Sequence, residues 1–351
     1  MTQTRWIRRA AICGVLVFPI LATGCGLISQ GTKGEIDPPQ QSESVDGTNT
    51  GQAVLPGQAD DSNLTVYLED RNGYLAPVSL NTALDQNDIA VAGKKALELM
   101  VDGGSLANQL PEDFRAVLPK GTEVKSLQLD PKSQIATVEF GGTFTDYPAT
   151  DERTIVEAIT WTLTALGAKG VEVWYDGAKL PEMPQDGFPL DEPLTRAVGI
   201  NLEAADGVNY LNSTPVTLYF SSTTSNDEQY YVPVTRLINR TDESSAKAAM
   251  EQLIDGPLKA KDLTAVLTND VEVTSINQKE DTVTVDLKDQ AFEEGLPAPA
   301  EMLEAIVLSI TENTGAAQVQ ITLNGQNVTD ENNVDYSKPV SRPHHVNAIK
   351  S

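Results

Sequence analysis

Ser244 and Lys247 stand three residues apart, the S-x-x-K spacing of enzymes in which a serine is acylated beside an activating lysine. The S-D-N and K-T-G elements that accompany it are absent. Ser244 falls where an amphipathic helix begins, and a hydroxyl there caps the free amides of the first turn; capping is the role this position predicts. His344 and His345 are the chain's only histidines. They are adjacent in a C-terminal tail that reads as disordered, where a pair can hold a metal loosely but is ordinarily just solvated. With no third histidine, neither a His-paired nucleophile nor a metalloprotease zinc site has its material. H-E-x-x-H, G-x-S-x-G and G-x-x-x-x-G-K-[ST] are absent as well. Glu139 and Asp286 occupy matching positions of two predicted strands. A glycosidase needs two carboxylates about 5–9.5 Å apart, but alternation puts each of these on the wet face of its strand. Trp161 and Trp174 offer rings on which sugars stack, yet one lies on a predicted helix and the other on a strand, where core or interdomain packing is commoner. These residues predict no catalytic site, no cofactor and no metal centre, and hence a protein that is not an enzyme.

Cys25 is the residue with a specified chemistry. Arg5, Arg8 and Arg9 form a basic start, Ala10 to Ala22 an apolar run broken by Pro19, and Leu21-Ala22-Thr23-Gly24-Cys25 closes it, the layout of a bacterial secretion signal. The run is shorter than the ~20 apolar residues a spanning helix needs. Its end resembles a lipobox, with Ala22 where leucine is usual. That resemblance implies cleavage before Cys25, acylation of its thiol and new amino group, and a lipid anchor in the cell membrane facing away from the cytoplasm. The other reading is a secreted protein with a leftover cysteine. Cys13 lies inside the leader, so acylation of Cys25 leaves the mature chain with no free thiol and no disulfide.

Charge narrows the partners. The 351 residues carry 50 acidic side chains against 25 Lys+Arg, a net charge of −25 that becomes −28 once residues 1–24 and their three arginines are removed. Such a surface repels nucleic acid and anionic lipid, so no nucleic-acid role is expected, and the membrane is reached through the lipid alone. Residues 25–63 are rich in Gln, Ser, Gly, Asp and Pro and cannot bury enough apolar surface to offset the entropy of ordering. They read as a flexible tether holding the folded part roughly 30–40 Å from the bilayer.

The remainder repeats itself. Thr65-Val66-Tyr67-Leu68 returns as Thr217-Leu218-Tyr219-Phe220, and Tyr74-Leu75-Ala76-Pro77-Val78 as Tyr230-Tyr231-Val232-Pro233-Val234. Asp102-Gly103 returns as Asp255-Gly256, and the strand before Asp176-Gly177 as the one before Asn324-Gly325. Two copies of one domain follow. The copies span 64–180 and 216–328, with a Pro/Gly-rich, semi-ordered connector at 181–215 and a tail at 329–351. Within each copy, Ile89, Ala92, Ala96, Leu99 and Met100, or Ala246, Ala249, Met250, Leu253 and Ile254, fall at helical spacing. The helix of each set is expected to stop at its Asp-Gly. Ala136, Val138 and Phe140, and Val283, Val285 and Leu287, alternate as half-buried strands do. A second helix over about 152–166 or 299–312 places Ile155, Ile159, Leu163 and Leu166, or Leu303, Ile306, Val307 and Ile310, on one stripe, with Pro299 in its first turn. The predicted order is strand, strand, helix, strand, strand, helix, strand. The fold class is α+β, two repeated domains, each a mixed sheet with two helices packed on one face.

In order and duplication, these segments resemble the GerM family, bacterial lipoproteins of sporulation and spore germination, over about residues 64–328. Gly256-Pro257 keeps the family's usual end of the first helix, and Gly103-Gly104 departs from it. The resemblance implies domains similar to ring-building modules of secretion systems, acting in the envelope around a developing spore. It also implies partners among envelope or spore-channel proteins. A peptidoglycan-binding module that recruits or regulates wall enzymes is the alternative, and a wall hydrolase is the least supported.

Overall fold

The computed structural model describes residues 63–82, 88–259, 262–293, 295–343 and 345–348, which belong to one compact unit. Cys13, Cys25, the tether up to residue 62 and His344 lie outside the described residues. The first repeat opens with the hairpin of β1 (Asn63–Asp70) and β2 (Leu75–Asn81), followed by α1 (Ile89–Leu99), β3 (Phe114–Arg115), β4 (Thr122–Leu129), β5 (Ile135–Gly142), α2 (Glu152–Ala165), β6 (Gly170–Tyr175) and β7 (Ala178–Lys179). A short β8 (Glu203–Ala204) precedes the second repeat: β9 (Ser213–Thr223), β10 (Gln229–Asn239), α3 (Ser245–Ile254), β11 (Glu272–Lys279), β12 (Thr282–Lys288), α4 (Ala300–Thr314), β13 (Gln318–Leu323) and β14 (Gln326–Asn327), with β15 (Val340–Ser341) after it. The fold is α+β with two repeated domains, in the expected order of elements with the two-residue strands β3, β7 and β14 added.

The strands of each repeat divide between two sheets instead of forming one. The hairpins β1–β2 and β9–β10 are antiparallel, with Tyr67 opposite Pro77 and Tyr219 opposite Pro233; β3 lies beside β1 and β8 beside β10. The second sheets run β4-β5-β6-β7 and β11-β12-β13-β14. In them β5 and β6, and β12 and β13, are parallel, as a crossover through a helix requires. Both carry a bulge at the same place, between Val124 and Ser126 and between Val273 and Ser275.

Burial gives the reason for the division. In β5 and β12 buried and half-exposed positions alternate, so one face is wet. In β1 every residue from Leu64 to Leu68 is buried, and β9 and β10 carry similar unbroken runs. A hairpin buried on both faces needs a layer on each side. Helices of its own repeat supply one, and the other repeat supplies the second, where β2 packs on β10. For the same reason α2 is buried all round from Ile155 to Leu163, and α4 from Leu303 to Thr311 except Glu304. Each lies against its hairpin and against its mixed sheet, so the expected single stripe is only part of its buried surface.

Two helix ends differ from expectation. The helix α3 stops at Asp255, with Gly256 left-handed at φ +77°, but α1 stops at Leu99. There Val101 bridges to Leu118, whose amide donates to the Met100 carbonyl at 2.7 Å, so tertiary pairing ends the helix before Asp102. Pro299 stands outside α4 as its N-cap, with an extended ψ of 125°. The tail is ordered over its described part: β15 pairs with β13, Tyr336 is fully buried and Val346 is buried. The connector is ordered too, burying Met183, Leu190, Leu194 and Ile200.

Candidate functional site

The two repeats meet along their hairpins, where β2 packs on β10, and this seam gathers a cluster of polar and charged side chains. Its construction starts at the hairpin edges. An edge strand presents unpaired backbone groups that must be satisfied or covered. The Tyr67 amide on β1 donates to Thr162 Oγ1 of α2 at 3.0 Å, and the Tyr219 amide on β9 donates to Ser309 Oγ of α4 at 3.0 Å. Asn313 of α4 adds a two-way bond to Thr217, accepting from its amide at 2.9 Å and donating to its carbonyl at 2.6 Å. The second helix of each repeat thus caps its hairpin sideways through side chains.

Each repeat then sends its last segment back to the seam. Pro193-Leu194-Thr195-Arg196-Ala197-Val198-Gly199-Ile200-Asn201 in the connector matches Pro339-Val340-Ser341-Arg342-Pro343-His344-His345-Val346-Asn347 in the tail, at a constant offset of 146. Leu194 bridges Val171 of β6, and Val340 pairs with the equivalent Val319 of β13. At the far end Asn201 accepts from the Leu75 amide at 2.8 Å and donates to the carbonyls of Leu75 at 2.8 Å and Pro233 at 2.7 Å. Asn347 accepts from the Tyr231 amide at 2.8 Å and donates to the carbonyls of Tyr231 at 2.7 Å and Pro77 at 2.8 Å. Each asparagine therefore ties its own hairpin to the other one, and the two clasps are related as by a two-fold axis. Both hold left-handed backbone, φ +48° and +58°, which asparagine tolerates better than most residues.

Between the clasps lies a charged cluster. Arg196 donates through Nε to Thr164 Oγ1 at 3.0 Å and through Nη1 to Glu312 Oε2 at 2.6 Å, with its guanidinium 4.3 Å from the centre of the Trp161 ring. Arg342, its equivalent, donates through Nη1 to the Leu308 carbonyl at 2.7 Å and Thr311 Oγ1 at 3.0 Å, and its Nη2 lies 3.0 Å from Glu312 Oε2. The Tyr219 hydroxyl is 3.2 Å from the same carboxylate oxygen and 2.5 Å from Arg342 Nη2. Burial alone would raise the Glu312 pKa, but Arg342 and Arg196 outweigh it and hold the carboxyl below its usual range. Burial pushes the Tyr219 phenol well up, so it stays a neutral hydroxyl. A cleft of about 620 Å³ opens beside the cluster, lined by both repeats, the connector and the tail. As chemistry, the cluster is an electrostatic clamp on two helix C-termini, where cations are favoured.

Comparison with known proteins bears on the same two segments. The model of the Germane family, described as sporulation and spore germination, matches residues 65–181 and 217–329. The chain belongs to this family. The spore germination protein GerM of Bacillus subtilis (strain 168) is 35% identical over 358 residues, covering 95% of each chain. The solved structure of the tandem GerMN domains of that organism's sporulation protein GerM superposes with a TM-score of 0.73 at 34% identity, covering 82% of this chain and 99% of that one. Membership places the chain among proteins of sporulation and spore germination.

Within this Germane pair, the residues singled out from sequence are scattered. Ser244 Oγ accepts from the Lys247 amide at 3.3 Å as an N-cap, and the Lys247 ammonium bonds Glu243 and lies 3.4 Å from Glu251. His345 Nδ1 is 3.4 Å from Thr65 Oγ1, which holds the tail against β1. Trp161 is fully buried and donates to the Gly199 carbonyl at 2.7 Å. Glu139 and Trp174 are cross-strand neighbours on the half-exposed face of β5 and β6. Asp286 takes a 2.7 Å bond from its own neighbour Thr322 on β13. Glu139 and Asp286 thus belong to different sheets. Cys25 and His344 are outside the described residues.

Arg196, Arg342, Glu312, Asn201 and Asn347 were not among the residues read from sequence. Neither was Glu152, whose carboxylate accepts three connector amides, from Gln185, Asp186 and Phe188, at 2.8 to 2.9 Å. For Arg196, Arg342 and the asparagines a signal existed: the nine-residue match at offset 146 lies in the two segments read as connector and tail. Glu312 and Glu152 carried no such mark.

Proposed function

We infer that the chain is a membrane-tethered, non-enzymatic assembly protein of sporulation and spore germination, which uses its paired domains to hold envelope proteins together. The observation that carries this reading is the pair of asparagine clasps, which fixes two duplicated domains as one body. Each domain keeps a half-exposed polar sheet face, with Thr137, Glu139, Glu172 and Trp174 in the first and Thr284, Asp286, Gln320 and Thr322 in the second. A rigid body with two similar faces engages two partners, or two sites of one, at a smaller cost in orientational freedom than two loose domains. The buried ionisable groups Glu312, Glu152 and Arg236 each hold elements together: Arg236 bonds Glu203 at 2.8 Å and the Gly256 carbonyl at 2.8 Å. In this reading acylated Cys25 anchors the body to the cell membrane, in a sporulating cell within the space around the forespore.

Photo-crosslinkers placed at Thr137 and Thr284 in sporulating cells test it. Attached envelope proteins that are lost when either face is altered support the reading. Retention on purified peptidoglycan with no attached protein favours the wall-binding alternative, and release of product from labelled peptidoglycan overturns the non-enzymatic reading. The anchor is tested separately. A Cys25→Ala protein is expected in the soluble fraction, and its retention in the membrane would contradict acylation as the attachment.

A further inference from the structure

We propose that the interdomain cleft binds the carboxylate end of a short peptide, with Arg196 as its anchoring cation. The inference goes beyond the assembly reading and stands or falls apart from it.

Repeat symmetry supplies the argument. Thr162 and Ser309, and Thr164 and Thr311, are equivalent at an offset of 147, and each pair does the same work: the first receives the hairpin amide, the second the returning arginine. At that offset Glu312 is equivalent to Ala165. Two equivalent arginines therefore share one carboxylate, and the place of the second is taken by an exposed methyl group that lines the cleft. Among the described residues of the lining, Arg196, Arg342 and Glu312 are the ones charged at neutral pH, beside the neutral phenol of Tyr67, an excess of one positive charge inside a protein of net charge −25.

Arg196 is prepared for an anion. Its guanidinium plane is set by Trp161 beneath and Thr164 at Nε, and Glu312 takes Nη1. Among the described residues Nη2 has no hydrogen-bond partner, and the side chain is 28% exposed. A planar guanidinium held this way matches a carboxylate. The fixed charge of Glu312 in the same cleft disfavours a dianion such as phosphate. Size decides the rest of the ligand: about 620 Å³ is the volume of a small-molecule pocket, far larger than a carboxylate alone. Ser341 and Thr311 offer hydroxyls and Pro343 and Val346 apolar surface for the residues behind the charge. A protein C-terminus and the free end of a wall peptide share this chemistry.

The purified protein is titrated calorimetrically with acetylated tripeptides ending in L-alanine, in D-alanine, or in L-alanine carboxamide, and with inorganic phosphate. At least one free acid is expected to bind saturably, and the carboxamide about tenfold or more weaker. Preference for the L end points to a protein terminus, and for the D end to a wall peptide. Ala165→Glu supplies the missing carboxylate internally and is expected to abolish binding while the melting temperature is kept or raised; Arg196→Gln is expected to abolish it too. Equal binding of acid and carboxamide, no saturable binding of either acid, tighter binding of phosphate, or undiminished binding by folded Ala165→Glu protein overturns the proposal.

Discussion

Glu312 and Glu304 lie two turns apart on α4 and respond to pH in opposite senses. Glu312 is 10% exposed and faces two arginines that are 28% and 25% exposed. Removing its charge takes the shared carboxylate from both, and partial solvation softens the penalty. Glu312→Gln is expected to cost about 1–3 kcal/mol at neutral pH, measured by urea unfolding. Because the folded pKa is depressed below 4.5, this contribution is complete above that value and fades as pH falls through the folded pKa. Glu304 accepts from the Tyr231 hydroxyl at 2.9 Å, yet burial, with Asp330 and Glu331 nearby, pushes its carboxyl up to about 7 from 4.5. Here the folded state holds the proton more tightly, so stability is highest below about 4.5 and declines as pH rises towards 7. Glu304→Gln is expected to remove up to about 3 kcal/mol of that decline, read as a flatter plot of urea midpoint against pH. Neither glutamate was legible in sequence, where both are simply acids on a helix; only the tertiary neighbours give them different tasks.

At the scale of elements, sequence periodicity located what depends on a repeating pattern. The alternation of Ala136, Val138 and Phe140 and the helical spacing of Ala246, Ala249, Met250 and Leu253 both reappear as buried faces. The division into two sheets was not legible, because a strand covered on both sides has no alternation to read; β1 spells Leu64-Thr65-Val66-Tyr67-Leu68, all buried. The early end of α1 was hidden too, since its cause is pairing with Leu118 across a loop. How the hairpin edge is satisfied leads to a direct test. Thr162→Val keeps shape and deletes the acceptor for the Tyr67 amide, and Ser309→Ala does the same for Tyr219. Each is expected to destabilise by about 1–3 kcal/mol. Hydrogen exchange should quicken selectively at the amide of Tyr67 in the first variant and of Tyr219 in the second.

For the molecule as a whole, the duplication was legible, and the matching of the two segments that return to the seam was not. Proline and small polar residues made 181–215 read as a semi-ordered connector and 329–351 as a tail. Yet Asn201 and Asn347 do their work through side-chain amides bonded to backbone, which leaves no hydropathy signature. Asn347→Ala leaves the Tyr231 amide and the carbonyls of Tyr231 and Pro77 without their partner. The expected cost is about 2–4 kcal/mol, concentrated at the seam. Calorimetry is expected to show one cooperative transition for the intact pair and two once residues 340–351 are deleted. A surface that docks against a rotated copy of itself is what identical subunits use to form a closed dimer. The clasped hairpins meet inside a single polypeptide in the way the two halves of such a dimer do. Glu312, standing where the other repeat has Ala165, marks where the halves are not interchangeable.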